Sequence, residues 1–164
     1  MTSVLDRWGA RLLQNPRFAR APLAAYRHGF GWLFGHRMLM LQHLGRSTGL
    51  PRYVCLEVVD RPAPDVLIVA SGFGERSQWY RNLRANPNCK LSIGAKRNLP
   101  ATARTLSPEE SAATLARYQQ VHPMAWRQLR GVIEQAGGTS VDALPMVALS
   151  LTPAGTPSDA APSS

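Results

Sequence analysis

From residue 37 onward, short apolar runs alternate with breaks rich in glycine, proline and charge. Six short, mostly apolar runs read as strands, the second of them rich in β-branched residues: "RMLMLQHL" (37–44), "RYVCLEVVD" (52–60), "DVLIVASG" (65–72), "CKLSIG" (89–94), "LPATARTL" (99–106) and "PMVALSLTP" (145–153). "RPAPD", with two prolines, predicts a turn between the second and third, and "GAKRN" predicts a hairpin between the fourth and fifth. Helical stretches fall between strands. "SQWYRNLRANP" is closed by Asn86-Pro87, because proline disfavours helix for the residue before it. "SPEE" opens another helix, with Ser107 as N-cap, Pro108 at the first position and two glutamates facing the positive end of the dipole. That helix is expected to reach about Val121, and Pro123 to open a further one through Trp126 to Ile133.

Before residue 36 the period changes. "VLDRWGARLLQ" places Val4, Trp8, Leu12 and Leu13 on one helical face, and a second helical stretch covers about 20–34. Both are basic and rich in aromatic residues. They fit a lid over the core or a helix lying in a membrane interface. The tail after residue 153, "AGTPSDAAPSS", is small and polar, and is expected to be disordered. Three segments result: a basic helical segment over 1–35, a strand-rich domain over 36–153 and a tail over 154–164. Strands joined mainly by hairpins, without regular βαβ alternation, predict an α+β protein: a six-stranded, mainly antiparallel β-barrel with helices at the N-terminus and flanking the barrel.

Charge narrows the partners. The net charge is +9, and six arginines against one aspartate in residues 1–40 carry more than half of it. Anionic partners are therefore favoured. Aromatic content of 7% and the lack of a nucleic-acid motif argue against nucleic acid. Two cysteines, Cys55 and Cys89, have neither metal-site nor secreted-framework spacing. The four histidines show no ligand spacing, so no metal is expected. No apolar run is long enough to span a membrane and no signal peptide is evident, so a cytoplasmic location is expected, with peripheral membrane contact through the N-terminal helices as the variant.

Two stretches could carry chemistry. In "HLGRSTGLPR" (43–52), Gly45 and Gly49 permit close backbone approach, Ser47 and Thr48 offer hydroxyls, and Arg46 and Arg52 can grip phosphate or carboxylate. Taken alone, this is either an anion clamp or a solvated basic turn. In "VASGFGERSQWYRNL" (69–83), a strand ends in small residues, Ser71 and Gly72 among them, and leads into a helix carrying Gln78, Trp79 and Tyr80. The glycines leave room for a planar ring that Trp79 could wall; the i, i+4 spacing of Trp79 and Leu83 fits core packing equally well. Glu57 is the one acid in an otherwise apolar strand, facing outward or toward a pocket. No acid–base pair or nucleophile stands out, so a cofactor is the natural carrier of any chemistry.

The two stretches in this order, followed by "ATARTLSPEE", resemble the deazaflavin-dependent nitroreductase family over about residues 30–123. The resemblance implies a split β-barrel, the 8-hydroxy-5-deazaflavin coenzyme F-420, and hydride transfer to a quinone, nitroaromatic or enone-like acceptor. It implies that Arg46, Ser47, Thr48, Gly49 and Arg52 hold the coenzyme's phosphate and acidic tail. Ser71 and Gly72 would lie along the ring, with Gln78 and Trp79 beside it. No side chain need be catalytic, and solvent or Tyr80 would supply a proton. This chain departs from the family pattern at Ser47, where many members carry Lys or Arg. A homodimer is also expected, because split barrels of this kind often pair. Two alternatives remain open: an FMN-binding split-barrel reductase and a non-catalytic flavin or deazaflavin carrier.

Overall fold

A computed structural model describes residues 36–136 and 144–153. The strands are β1 (Met38–Leu44), β2 (Pro51–Ala63), β3 (Val66–Ala70), β4 (Asn88–Ile93), β5 (Lys96–Thr105) and β6 (Met146–Leu151). The helices are α1 (Gln78–Ala85), α2 (Pro108–Val121) and α3 (Pro123–Ala136), with a 3-10 turn at Gly74–Arg76. The strands close into a barrel in the order β1-β2-β3-β6-β5-β4, and every pairing is antiparallel. The expected six-stranded antiparallel barrel with flanking helices is therefore present. The predicted N-terminal helices and the tail lie outside the described residues.

Alternation along the strands builds the interior. Leu39 and Leu41 of β1, Leu67 and Val69 of β3, Leu91 and Ile93 of β4, and Val147 and Leu149 of β6 form one buried cluster. Val54, Leu56 and Val58 of β2 pack against it, so Cys55, Glu57 and Val59 point to the other side. A second cluster lies outside the barrel, where Ile68, Met146 and Ala148 meet Leu115 and Tyr118 of α2. Ala125, Trp126 and Leu129 of α3 pack against it. This explains why "VLIVA" and "MVALSL" read as continuous apolar runs: β3 and β6 are covered on both faces.

Two details differ from the predicted boundaries. β2 runs on through Arg61-Pro62-Ala63, leaving only Pro64-Asp65 to turn. The β2–β3 register shifts between Val58 and Asp60 and again between Asp60 and Ala63. A bulged stretch tolerates Pro62, which has no N–H to give to the ladder. Asp60 ties this irregular edge to α2, because Nε and Nη2 of Arg117 both donate to its Oδ2, at 3.1 and 2.8 Å. The hairpin between β4 and β5 is tighter than "GAKRN" suggests, turning at Gly94-Ala95 with φ of +57° at Gly94.

The start of α2 follows the sequence closely. Ser107 Oγ accepts from Glu110 N–H at 3.1 Å, and Glu110 Oε2 accepts from Ser107 N–H at 2.8 Å. Arg104 of β5 holds the same carboxylate at 3.0 and 3.2 Å, fastening the helix start to the barrel wall.

These contacts predict unequal losses. Leu149→Ala empties a fully buried site in the barrel and should cost about 2–5 kcal/mol. Ser107→Ala removes one cap and should cost about 1 kcal/mol. Urea unfolding of the two variants beside the parent protein checks both values and their order.

Candidate functional site

The polar loop between β1 and β2 closes on itself. Gly45 N–H donates to Leu50 O at 2.9 Å and Gly49 N–H to Gly45 O at 2.7 Å. Gly49 sits at φ +67°, a conformation that L side chains rarely adopt. A Cβ on Gly45 would come within 2.7 Å of Thr48 Oγ1, so a larger residue there would force the Thr48 side chain to move. Leu50 N–H donates to that same hydroxyl at 3.3 Å. The pattern of glycine and hydroxyl in "GRSTGL" thus makes a compact turn with Arg46, Ser47 and Thr48 exposed at its rim.

Opposite the loop stands α1. Ser71, fully buried, donates through Oγ to Gly74 O at 2.7 Å and lies 2.6 Å from Ser77 Oγ. This clasp sets the angle at which the chain leaves β3 and starts α1. Trp79, Tyr80 and Leu83 then turn into the barrel cluster, with the two rings edge-to-face at 6.0 Å. Gln78 and Asn82, one turn apart, face the loop.

Arg46 joins the two sides. Its Nη1 donates to Gln78 Oε1 at 2.9 Å and to Asn82 Oδ1 at 2.9 Å, and its backbone N–H donates to Asn82 Oδ1 at 3.1 Å. Nη1 is thereby saturated, while Nε and Nη2 have no partner among the described residues. Behind Asn82, its Nδ2 lies 3.1 Å from His43 Nδ1. Burial first, and the charge of Arg52 second, push His43 down to about 4. The imidazole is therefore neutral at pH 7.

These groups line a cleft of about 510 Å³, formed by His43, Gly45, Arg46, Ser47, Thr48, Arg52, Tyr53, Val54, Gln78, Trp79 and Asn82. Two guanidiniums, three hydroxyls (Ser47, Thr48 and Tyr53) and no carboxylate line it, beside one indole. Such a donor set suits a ligand with an anionic group and a flat apolar part. Of the residues expected from sequence, Arg46, Ser47, Thr48, Arg52, Gln78 and Trp79 come together at this cleft. Gly49, Ser71 and Gly72 are not in its lining: Gly49 shapes the turn, Ser71 is sealed in its clasp, and Gly72 borders open space. Tyr80 is 2% exposed in the core and does not line the cleft.

His43 and Asn82 were not singled out as ligand-site residues by sequence. The available signal was their placement, since Asn82 follows Gln78 by four residues and His43 opens the polar loop. The remaining candidates lie elsewhere. Glu57, on the outer side of β2, accepts from Arg37 at 3.2 Å and from Tyr118 Oη at 3.0 Å. Cys55 and Cys89 are pushed up by burial, to about 12 and about 11, and remain thiols. No group of three or more metal-ligating side chains occurs among the described residues, and none of their helices is long and apolar enough to cross a membrane.

A family model described as F420H(2)-dependent quinone reductase matches residues 19–151. The chain is 38% identical over 114 residues to Rv1261c of Mycobacterium tuberculosis, which carries the same description; the match covers 65% of this chain and 74% of that one. It is 40% identical over 78 residues to Rv3178 of the same organism, whose name gives that activity as provisional, and spans 62% of its length. Among solved structures, Atu2129 of Agrobacterium tumefaciens, of unknown function, matches with a TM-score of 0.52 at 20% identity, over 84% of this chain and 57% of that one. A structure described only as a domain-swapped dimer also gives 0.52, at 19% identity over 82% and 99%. These last two likenesses concern the barrel fold alone.

The buried histidine makes stability depend on pH. Above about pH 6.5 the ring is neutral in both the folded and the unfolded chain, and contributes no slope. Between about 6.5 and 4, the unfolded chain takes up a proton that the folded one refuses, so stability falls with pH. The loss from this residue should be about 2–3 kcal/mol across that window. Denaturant unfolding at pH 7.5 and 4.5 should show a steeper decline for the parent than for His43→Gln.

Proposed function

The chain belongs to the F420H(2)-dependent quinone reductase family, and from that membership we propose that it is an oxidoreductase that binds coenzyme F-420 in the cleft between the β1–β2 loop and α1, and reduces a quinone. The observation that carries this reading is the state of Arg46. One guanidinium nitrogen is fully used in fixing the side chain against Gln78 and Asn82, leaving the others for an incoming anion. A guanidinium fixed in this way loses less freedom when it grips a phosphate, which favours binding.

When bound, the reduced deazaflavin supplies a hydride, and the quinone takes it up with a proton. The chain's own residues do the binding and orientation. Arg46 and Arg52 hold the phosphate and acidic tail, with the hydroxyls of Ser47 and Thr48 beside them. Trp79, buried in the core on one side, presents an indole surface to the flat ring, and Gln78 lies next to it at the helix start. Gly72, outside the cleft lining but with open space where a Cβ would stand, would not obstruct a ring extending toward it. Solvent supplies the proton, because Tyr80 is packed into the core.

FMN is the competing cofactor, since it too joins a flat ring to a phosphate. Quenching of intrinsic tryptophan fluorescence by each compound separates the two: F-420 should bind more tightly than FMN, and binding of FMN alone would sink the deazaflavin reading. Tight F-420 binding without turnover of menadione would point to a carrier. Arg46→Ala should weaken F-420 binding by about 1.5–3 kcal/mol, as expected for a lost charge-assisted contact. An unchanged dissociation constant removes Arg46 from the site.

A further inference from the structure

His43 is 4% exposed, lines the cleft, and is unused by the grip described so far. The bonds around it determine where its proton sits. Arg46 N–H and Nη1 can only donate, so the Asn82 atom facing both must be its carbonyl oxygen. The other end of that amide, Nδ2, can only donate, and it meets His43 Nδ1 at 3.1 Å. Nδ1 of the neutral ring is therefore the acceptor, and the ring hydrogen is on Nε2. Nε2 has no partner among the described residues, yet none of their buried side-chain nitrogens or oxygens lacks one. Nε2 is therefore not sealed from solvent, and the opening beside His43 is the cleft that it lines.

We propose that His43 is a ligand-binding residue, a neutral Nε2–H donor to an anionic oxygen of the coenzyme, and that Asn82 is the positioning residue that aims both this donor and the Arg46 guanidinium. The assignment rests on the coenzyme reading above. Every group facing the ring agrees with a neutral donor. Arg52 stands opposite it on β2, Arg46 lies in the loop, and α1 contributes the Asn82 amide. On β4, Cys89 precedes Lys90, which pairs with Gln42, and its thiol stays protonated up to about 11. No carboxylate among these groups faces the ring to favour imidazolium. A neutral donor also adds a hydrogen bond to the anion without a third cation beside Arg46 and Arg52.

Asn82→Asp separates this role from a structural one. The carboxylate still accepts from Arg46 but cannot donate to Nδ1, so the ring must carry a proton there. Below its raised pKa the ring is imidazolium and keeps Nε2–H. Above that pKa it becomes the Nδ1–H tautomer and turns a bare lone pair toward the anion. F-420 affinity of Asn82→Asp should therefore fall by about tenfold or more between pH 6 and 9, beyond any change in the parent measured in parallel. His43→Phe, with folding checked by thermal unfolding, should lose about tenfold in affinity at pH 7 without that added slope. In the ligand-free parent, two-bond proton–nitrogen correlation of the labelled ring should show the Nε2–H tautomer at pH 7.

A ring hydrogen on Nδ1 in the parent, parallel pH profiles for the parent and Asn82→Asp, or full affinity in His43→Phe would each overturn the assignment. A parent protein that binds no F-420 removes the coenzyme reading itself and with it the ligand role of His43. The tautomer of the free protein still decides separately whether Asn82 aims the ring.

Discussion

The amide of Asn82 has only one orientation available, and much of the cleft depends on it. Two donors from Arg46 claim its oxygen, and one acceptor on His43 claims its nitrogen. Asn82 is 5% exposed, so water offers little competition and an inverted amide would set donor against donor on both sides. Leaving such groups unpaired away from water costs about 1–3 kcal/mol each. The loop, the middle of α1 and the end of β1 are therefore held in one relative arrangement by a single uncharged side chain.

That arrangement needs a rigid base, which the barrel supplies. His43 is the last inward-facing residue of β1 and stands opposite Arg52 on β2. The loop springs from these two strands, so its ends are fixed by the ladder and its interior by the Gly45–Leu50 and Gly49–Gly45 bonds. α1 is anchored from below by Trp79, Tyr80 and Leu83 in the barrel cluster, and at its entry by the Ser71 clasp. Placement of the cleft groups thus follows from strand register and helix anchoring. A rigid loop carrying a basic side chain forms a binding site more readily than a mobile one, because less freedom is lost on binding.

The sequence revealed most where a local pattern has one physical meaning. The capping box of α2 is such a case: Ser107, Pro108 and Glu110 at fixed spacing leave little else to form. The six apolar runs, each too short for a typical helix and bounded by breaks rich in glycine, proline or charge, likewise became six strands. β2 was harder, since Pro62 reads as a break and only the bulged pairing with β3 lets the strand continue. At the cleft, Arg46, Arg52 and the hydroxyls of Ser47 and Thr48 were legible as polar, cationic groups in one loop, because their chemistry is evident in any fold. His43 and Asn82 were not, because their roles come from a contact across 39 residues. A histidine with no neighbouring ligand and an asparagine within a helix are individually unremarkable. Trp79 belongs to the core cluster and also lines the cleft.

The absence of a third cation at position 47 bears on how this cleft is tuned. Arg46 and Arg52 already bring two positive charges to a half-enclosed space, and Arg52 helps keep His43 uncharged. A further cation on the loop would raise the electrostatic attraction for an anion, at the cost of repulsion within the free cleft. Ser47, Thr48 and His43 would instead offer a bound anion neutral donors, which gain from its charge without repelling one another beforehand. Neutral donors are also less affected by salt than exposed charges. Where a relative places a lysine at the loop, its grip should depend more on charge and on ionic strength. A grip on an anion here would depend more on geometry, and Asn82 is where the placement of Arg46 and His43 is set.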